Sequence, residues 1–142
     1  MAPARADSPR RPRGKVLIVD DQEGMRDLLK TILETDYHVA EADSGAALHK
    51  ALEQEQPDVV LLDMKLPDAN GLGLLPAIKN RWPETEVIVM SGAPSDGEGG
   101  SWAAEAAKSG AFGFFSKSAE FDFQQLLDGV SNALERRYEI QK

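Results

Sequence analysis

The sequence predicts an α/β domain: a doubly wound, five-stranded parallel sheet with five helices on its two faces. Two observations predict it. Short, continuous apolar runs recur along the chain, each of the kind that a strand buried on both faces shows. Between them stand segments whose apolar residues fall at helical spacing, so that strands alternate with crossover helices and pair in parallel.

Lys15-Val16-Leu17-Ile18-Val19 is the first run, and it ends in Asp20-Asp21. Met25, Leu28, Leu29, Ile32 and Leu33 then fall at i, i+3, i+4, i+7 and i+8, one face of a helix. His38-Val39-Ala40-Glu41-Ala42 is a weaker second strand, and Ser44 caps a helix carrying Ala47, Leu48, Ala51 and Leu52. After Pro57, Asp58-Val59-Val60-Leu61-Leu62 is the third strand and ends in Asp63. Residues 67–71 read as a turn, followed by a helix with Leu72, Leu75 and Ile78 that runs to about Trp82. Pro76 lies inside it and should kink it or mark its first turns. Val87-Ile88-Val89-Met90 is the fourth strand and ends in Ser91. A glycine-rich stretch, 92–100, leads into an alanine-rich helix over about 101–109. Residues 112–115 form the fifth strand, Lys117 follows, and a last helix carries Phe123, Leu126, Leu127, Val130, Ala133 and Leu134.

The 142 residues suit one domain, and 42% hydrophobic with 28% charged residues is the balance of a soluble protein with a real core. The absence of cysteine excludes disulfide scaffolds, cysteine-built zinc or iron–sulfur sites and cysteine nucleophiles. No apolar run approaches the roughly 18 residues of a membrane span, and the first residues lack the apolar core of a secretory signal, so the expected compartment is the cytoplasm. Charge divides the chain. Residues 1–15 carry five basic side chains against Asp7, which leaves −12 on the rest of a chain whose net charge is −8. So acidic a body repels phosphates, and direct nucleic-acid binding by the domain is not expected. Residues 1–14 read as a disordered basic tail, 15–137 as the folded domain, and 138–142 as the end of the last helix or the start of a linker.

In a sheet of this type ligands bind beyond the carboxyl ends of the strands, near the point where strand order reverses. Asp20, Asp21, Asp63, Ser91 and Lys117 all stand there. Three carboxylates repel one another unless a cation sits among them, and oxygen ligands at a wet site suit Mg²⁺. A hydroxyl and an ammonium beside them suit a phosphoryl group. The set therefore suggests metal-assisted phosphoryl transfer with a carboxylate nucleophile.

The order VLIVDDQ, VVLLDMKLPDANGL, VIVMSGA and GAFGFFSK over residues 15 to about 137 resembles the receiver domains of two-component response regulators, the CheY-like domains of flavodoxin type. The resemblance implies a strand order of 2-1-3-4-5. It implies that Asp63 accepts a phosphoryl group from a histidine kinase or phosphotransfer protein. It also implies Mg²⁺ held by Asp20, Asp21, Asp63 and the backbone carbonyl of Lys65. Ser91 falls on the hydroxyl switch position, Phe114 on the aromatic switch position and Lys117 on the family's lysine. A homodimer or partner contact through the fourth helix, fifth strand and fifth helix is implied, with output through an effector domain or downstream protein. The 59–79 stretch is similar to the receivers of enhancer-binding transcription activators.

Each residue also has a plain structural reading. A lone aspartate after a strand is a cap or turn former, Phe114 on a strand of phenylalanines reads as core, and His38 and His49 read as solvated or structural. Lys65 either shields the phosphoryl group or points to solvent. Ser118 stands where the family has proline; a cis bond costs about 0.5–1 kcal/mol before proline but about 2.5–4 kcal/mol elsewhere, so a trans Lys117–Ser118 peptide is expected. Two other functions compete. A haloacid-dehalogenase-type hydrolase would want a general-acid carboxylate where Lys65 stands, and a phosphorylation-independent interaction module would not need the full acidic set. Dinucleotide or flavin binding lacks a glycine-rich loop after Val19.

Overall fold

The computed structural model describes residues 14–91, 101–117 and 122–141. The basic tail, the glycine-rich stretch 92–100 and the Lys117–Ser118 peptide, each the subject of an expectation above, lie outside the described residues. The chain runs β1 (Lys15–Val19), α1 (Glu23–Leu33), β2 (His38–Ala42), α2 (Gly45–Glu55), β3 (Val59–Asp63), β4 (Lys65–Leu66), β5 (Ala69–Asn70), α3 (Gly71–Arg81), β6 (Glu86–Ser91), α4 (Ser101–Lys108), β7 (Gly113–Ser116) and α5 (Phe123–Gln141). The main sheet has the order β2-β1-β3-β6-β7 with every pair parallel, which is the predicted 2-1-3-4-5 order of its five members.

Alternation along the buried strands builds two cores, because successive side chains leave a strand on opposite faces. Val16, Ile18, Val59, Leu61, Ile88 and Met90 point to one side, where Leu29 and Leu33 of α1 and Leu126, Val130 and Leu134 of α5 cover them. Leu17, Val19, Val60, Leu62, Val87 and Val89 point to the other, covered by Leu48 and Leu52 of α2, Leu75 and Ile78 of α3 and Ala106 of α4. Each such side chain contributes about 1.5–3 kcal/mol by leaving water. β3 is buried along its whole length, and β2 at the sheet edge is the most exposed of the first three strands, which is why its run reads weakly.

One local expectation is refined and one is met. The expected turn narrows to residues 67–68 and closes a small antiparallel hairpin, Lys65 opposite Asn70 and Leu66 opposite Ala69, feeding directly into α3. Its strands are too short to show a period. Pro76 lies inside α3 as expected: it stands exposed in the second turn, among the helix's first turns, and the helix continues to Arg81. The remaining differences are shifts of one or two residues at element ends, where pairing with neighbours decides the boundary.

Candidate functional site

β1 and β3 lie side by side, and the chain leaves β1 toward one sheet edge and β3 toward the other. Their carboxyl ends carry Asp20 and Asp63. Asp20 is wholly buried and held at four points. Its N–H donates to the Ala42 carbonyl at 3.1 Å, and its own carbonyl accepts from Arg26 Nη1 at 2.7 Å. Its Oδ1 accepts from the Gln22 N–H at 2.9 Å, and Oδ2 accepts from Lys117 Nζ at 2.7 Å. Asp63 is 5% exposed, with Oδ2 3.3 Å from the same ammonium and Oδ1 3.5 Å from the Lys65 N–H.

Asp21 is exposed and, among the described residues, makes no hydrogen bond or ion pair through its carboxylate. One oxygen from each of Asp20, Asp21 and Asp63 lies within 4.8 Å of the others. Lys117, its side chain 7% exposed, bridges two of the three, and its backbone N–H donates to the Ser91 carbonyl at 2.8 Å. Burial pushes the Asp63 carboxyl above its ordinary range, with the Asp20 charge adding to the push and Lys117 opposing it. One ammonium against three carboxylates leaves the cluster negative. A hard divalent cation answers that deficit with the oxygen donors present, so the residues fit Mg²⁺.

The cluster opens on a cleft of about 530 Å³ lined by Asp21, Gln22, Met25, Asp63, Met64, Lys65, Ser91 and Lys117. Its floor is set by backbone contacts. The Met64 N–H donates to the Met90 carbonyl at 2.9 Å, and the Gly71 N–H donates to the Met64 carbonyl at 2.7 Å. Gly71 comes so close that a Cβ there would lie 2.5 Å from the Asp63 carbonyl oxygen. At the hairpin tip, Asp68 accepts from the Gly45 and Ala46 N–H groups at 2.7 and 3.1 Å, joining Ser44 in capping α2. The Gly45 N–H foremost, with Ala46 behind it, holds the Asp68 carboxyl below its usual range.

Of the residues singled out from sequence, Asp20, Asp21, Asp63, Lys65, Ser91 and Lys117 converge on or directly behind this cleft. Phe114 does not. It faces outward from β7 and is 57% exposed, while Phe115 is the buried neighbour, so the core reading of Phe114 is corrected. His38 is exposed at the start of β2, and His49 is exposed with its ring edge-on to Trp82 at 5.8 Å between centroids. Arg26, Asp68 and Gly71 went unmarked in the sequence reading. Arg26 reaches back six residues to the Asp20 carbonyl and across to the Glu41 side chain, and Asp68 bonds backbone N–H groups more than 20 residues away, pairings that no local spacing reveals, although a glycine after Asn70 at a helix start is a usable sign of close approach.

Fold and cleft together define a flavodoxin-like domain with an acidic, lysine-bridged site at its topological switch point. The chain belongs to the response regulator receiver domain family, whose model matches residues 16–131. It is 36% identical over 121 residues to the chemotaxis protein CheY of Listeria monocytogenes, covering 84% of this chain and 97% of that one. It is 36% identical over 123 residues to the DNA-binding transcriptional regulator NtrC of Proteus hauseri, covering 86% of this chain and 25% of the relative. The chain thus spans a quarter of that regulator and nearly all of CheY. The solution structure of the beryllofluoride-activated NtrC4 receiver domain dimer superposes with a TM-score of 0.77 at 31% identity, over 87% of this chain and 98% of that one. The chain is a response-regulator receiver, a phosphoacceptor signalling domain. No helix among the described residues is long and apolar enough to cross a membrane.

Proposed function

We propose that Asp63 is the phosphoacceptor and takes its phosphoryl group from a phosphohistidine on a cytoplasmic kinase or phosphotransfer protein. The single observation that carries the reading is the position of the Asp63 carboxylate, at the end of the central strand, facing an open cleft and 3.3 Å from a nearly buried ammonium. An Asp63 oxygen attacks phosphorus, the phosphorus–nitrogen bond breaks with its electron pair going to the imidazole, and a mixed anhydride forms. Burial raises the basicity of Asp63 and so its nucleophilicity, while Lys117 keeps it ionised and offsets charge on the transferring group. Asp20, Asp21, Asp63 and the Lys65 carbonyl would hold Mg²⁺, which when bound neutralises the phosphoryl oxygens.

Readout follows from the same geometry. Lys117 and Ser91 are joined by a backbone hydrogen bond across β6 and β7, and Phe114 lies on β7 opposite Val89. A phosphoryl group that engages Ser91 and Lys117 shifts both strand ends, and Phe114 turns inward as the surface of α4, β7 and α5 changes. That surface then pairs with a second copy or docks on an effector. The effector is a DNA-binding output domain of the type the NtrC relative carries, or a separate downstream protein.

Incubation with acetyl phosphate followed by intact-mass measurement tests the assignment. One phosphoryl adduct is expected in Mg²⁺, none with EDTA and none on Asp63→Asn. Wild-type labelling of Asp63→Asn would move the acceptor elsewhere, and an unlabelled wild type would make the chain a phosphorylation-independent module.

A further inference from the structure

Arg26 stands in the first turns of α1 with a side chain only 16% exposed. A cation near a helix N-terminus opposes the helix dipole, so its placement needs a local reason. Nη1 donates to the Asp20 carbonyl at 2.7 Å, and Nε lies 3.1 Å from Glu41 Oε1 on β2. Glu41 also faces Lys30 Nζ at 3.6 Å. The next residue, Ala42, accepts from the Asp20 N–H at 3.1 Å. Two adjacent residues of the edge strand therefore hold Asp20 from both sides, Ala42 directly and Glu41 through Arg26.

The Asp20 carbonyl belongs to the planar peptide unit that joins Asp20 to Asp21, so fixing that oxygen fixes the plane. The Asp20 carboxylate has its own anchors in Gln22 and Lys117. The Asp21 carboxylate has no anchor among the described residues, and only its backbone aims it into the cleft. We infer that the Arg26–Glu41 pair is a positioning device for the cation site: it locks the Asp20–Asp21 peptide so that Asp21 is already aimed when Mg²⁺ arrives. The inference rests on the reading that Asp20, Asp21 and Asp63 hold Mg²⁺.

The test is Mg²⁺ affinity of the unphosphorylated full chain, measured by calorimetry and by competition with Mn²⁺ followed by electron paramagnetic resonance. Outer partners of metal ligands set affinity by about 10- to 100-fold, and Arg26→Met is expected at the low end, about tenfold weaker. Arg26→Lys, which keeps the charge and loses the fork, should weaken binding nearly as much. A purely electrostatic role predicts the opposite, tighter binding in Arg26→Met and no change in Arg26→Lys, and either result overturns the inference. Glu41→Gln should weaken binding in the wild-type background and have no further effect alongside Arg26→Met; an equal loss in both backgrounds also overturns it. Unfolding midpoints in EDTA identify any variant that is simply misfolded, in which case Arg26→Lys and Glu41→Gln decide. A wild type that binds no Mg²⁺ refutes the metal reading and the inference with it, whereas a binding wild type with unaffected variants refutes the inference alone.

Discussion

Gly71 shows how little freedom the loop after Asp63 has. Its N–H holds the Met64 carbonyl, and an added Cβ would meet Asp63 O at 2.5 Å and Met64 Cα at 2.9 Å. Both obstacles are backbone, so neither can swing away as a side-chain end would. Gly71→Ala should therefore shift the Asp63–Met64 peptide, cost about 1–3 kcal/mol as overpacking does, and slow labelling of Asp63. Chemical denaturation and acetyl phosphate kinetics on the same variant check both parts. Stability and labelling at wild-type values would show that α3 can retreat without moving the acceptor.

The hairpin β4–β5 matters as an element because it ties that loop to α2. Asp68 caps Gly45 and Ala46 across a sequence gap of more than 20 residues. Because the folded Asp68 carboxyl lies below the ordinary aspartate value of 3.8, its stabilising contribution is fully present above 3.8 and is lost as pH falls through the lower folded value. Asp68→Ala should thus raise amide exchange at Gly45, Ala46 and the α2 first turn at neutral pH. Its difference from wild type should shrink below pH 3.8; a difference that persists there would mean the effect is steric and not a charged cap. This hairpin is also where reading from sequence ended. β1, β3 and β6 are legible because burial on both faces demands unbroken apolar runs, and Ser44 announces α2 because its cap is local. Asp20, Asp63 and Lys117 are legible because strand ends fix their positions. The hairpin has two residues per strand, and its support comes from Asp68 reaching the distant start of α2 and from Gly71 closing on the Met64 carbonyl. On β7 the run Gly-Phe-Phe-Ser contains no polar residue among its aromatics to set the strand's phase, so Phe114 and Phe115 could not be told apart.

Across the whole molecule, a strongly acidic chain exposes aromatic side chains on two elements of the α4, β7 and α5 surface, β7 and the start of α5. Phe114 is 57% exposed and Phe123 is 45% exposed, while the chain carries a net charge of −8. Two copies meeting through this face bury aromatic surface but bring like net charges together. Association driven by apolar burial should strengthen as salt screens that repulsion, whereas a dimer held by ion pairs should weaken. The NtrC4 receiver relative forms a dimer when activated by beryllofluoride, and the same ligand is the probe here. Light scattering should give monomer mass without it and a concentration-dependent rise toward twice that mass with it. The rise should be larger near 1 M salt, where the Debye length is about 3 Å, than near 0.01 M, where it is about 30 Å. Phe114→Ala should reduce the association at both salts by removing the ring whose inward turn reshapes the α4, β7 and α5 surface, while leaving acetyl phosphate labelling of Asp63 unchanged, since Phe114 lies outside the cleft. A mass that stays monomeric with beryllofluoride at every salt would assign this face to an effector and not to a second copy of the chain.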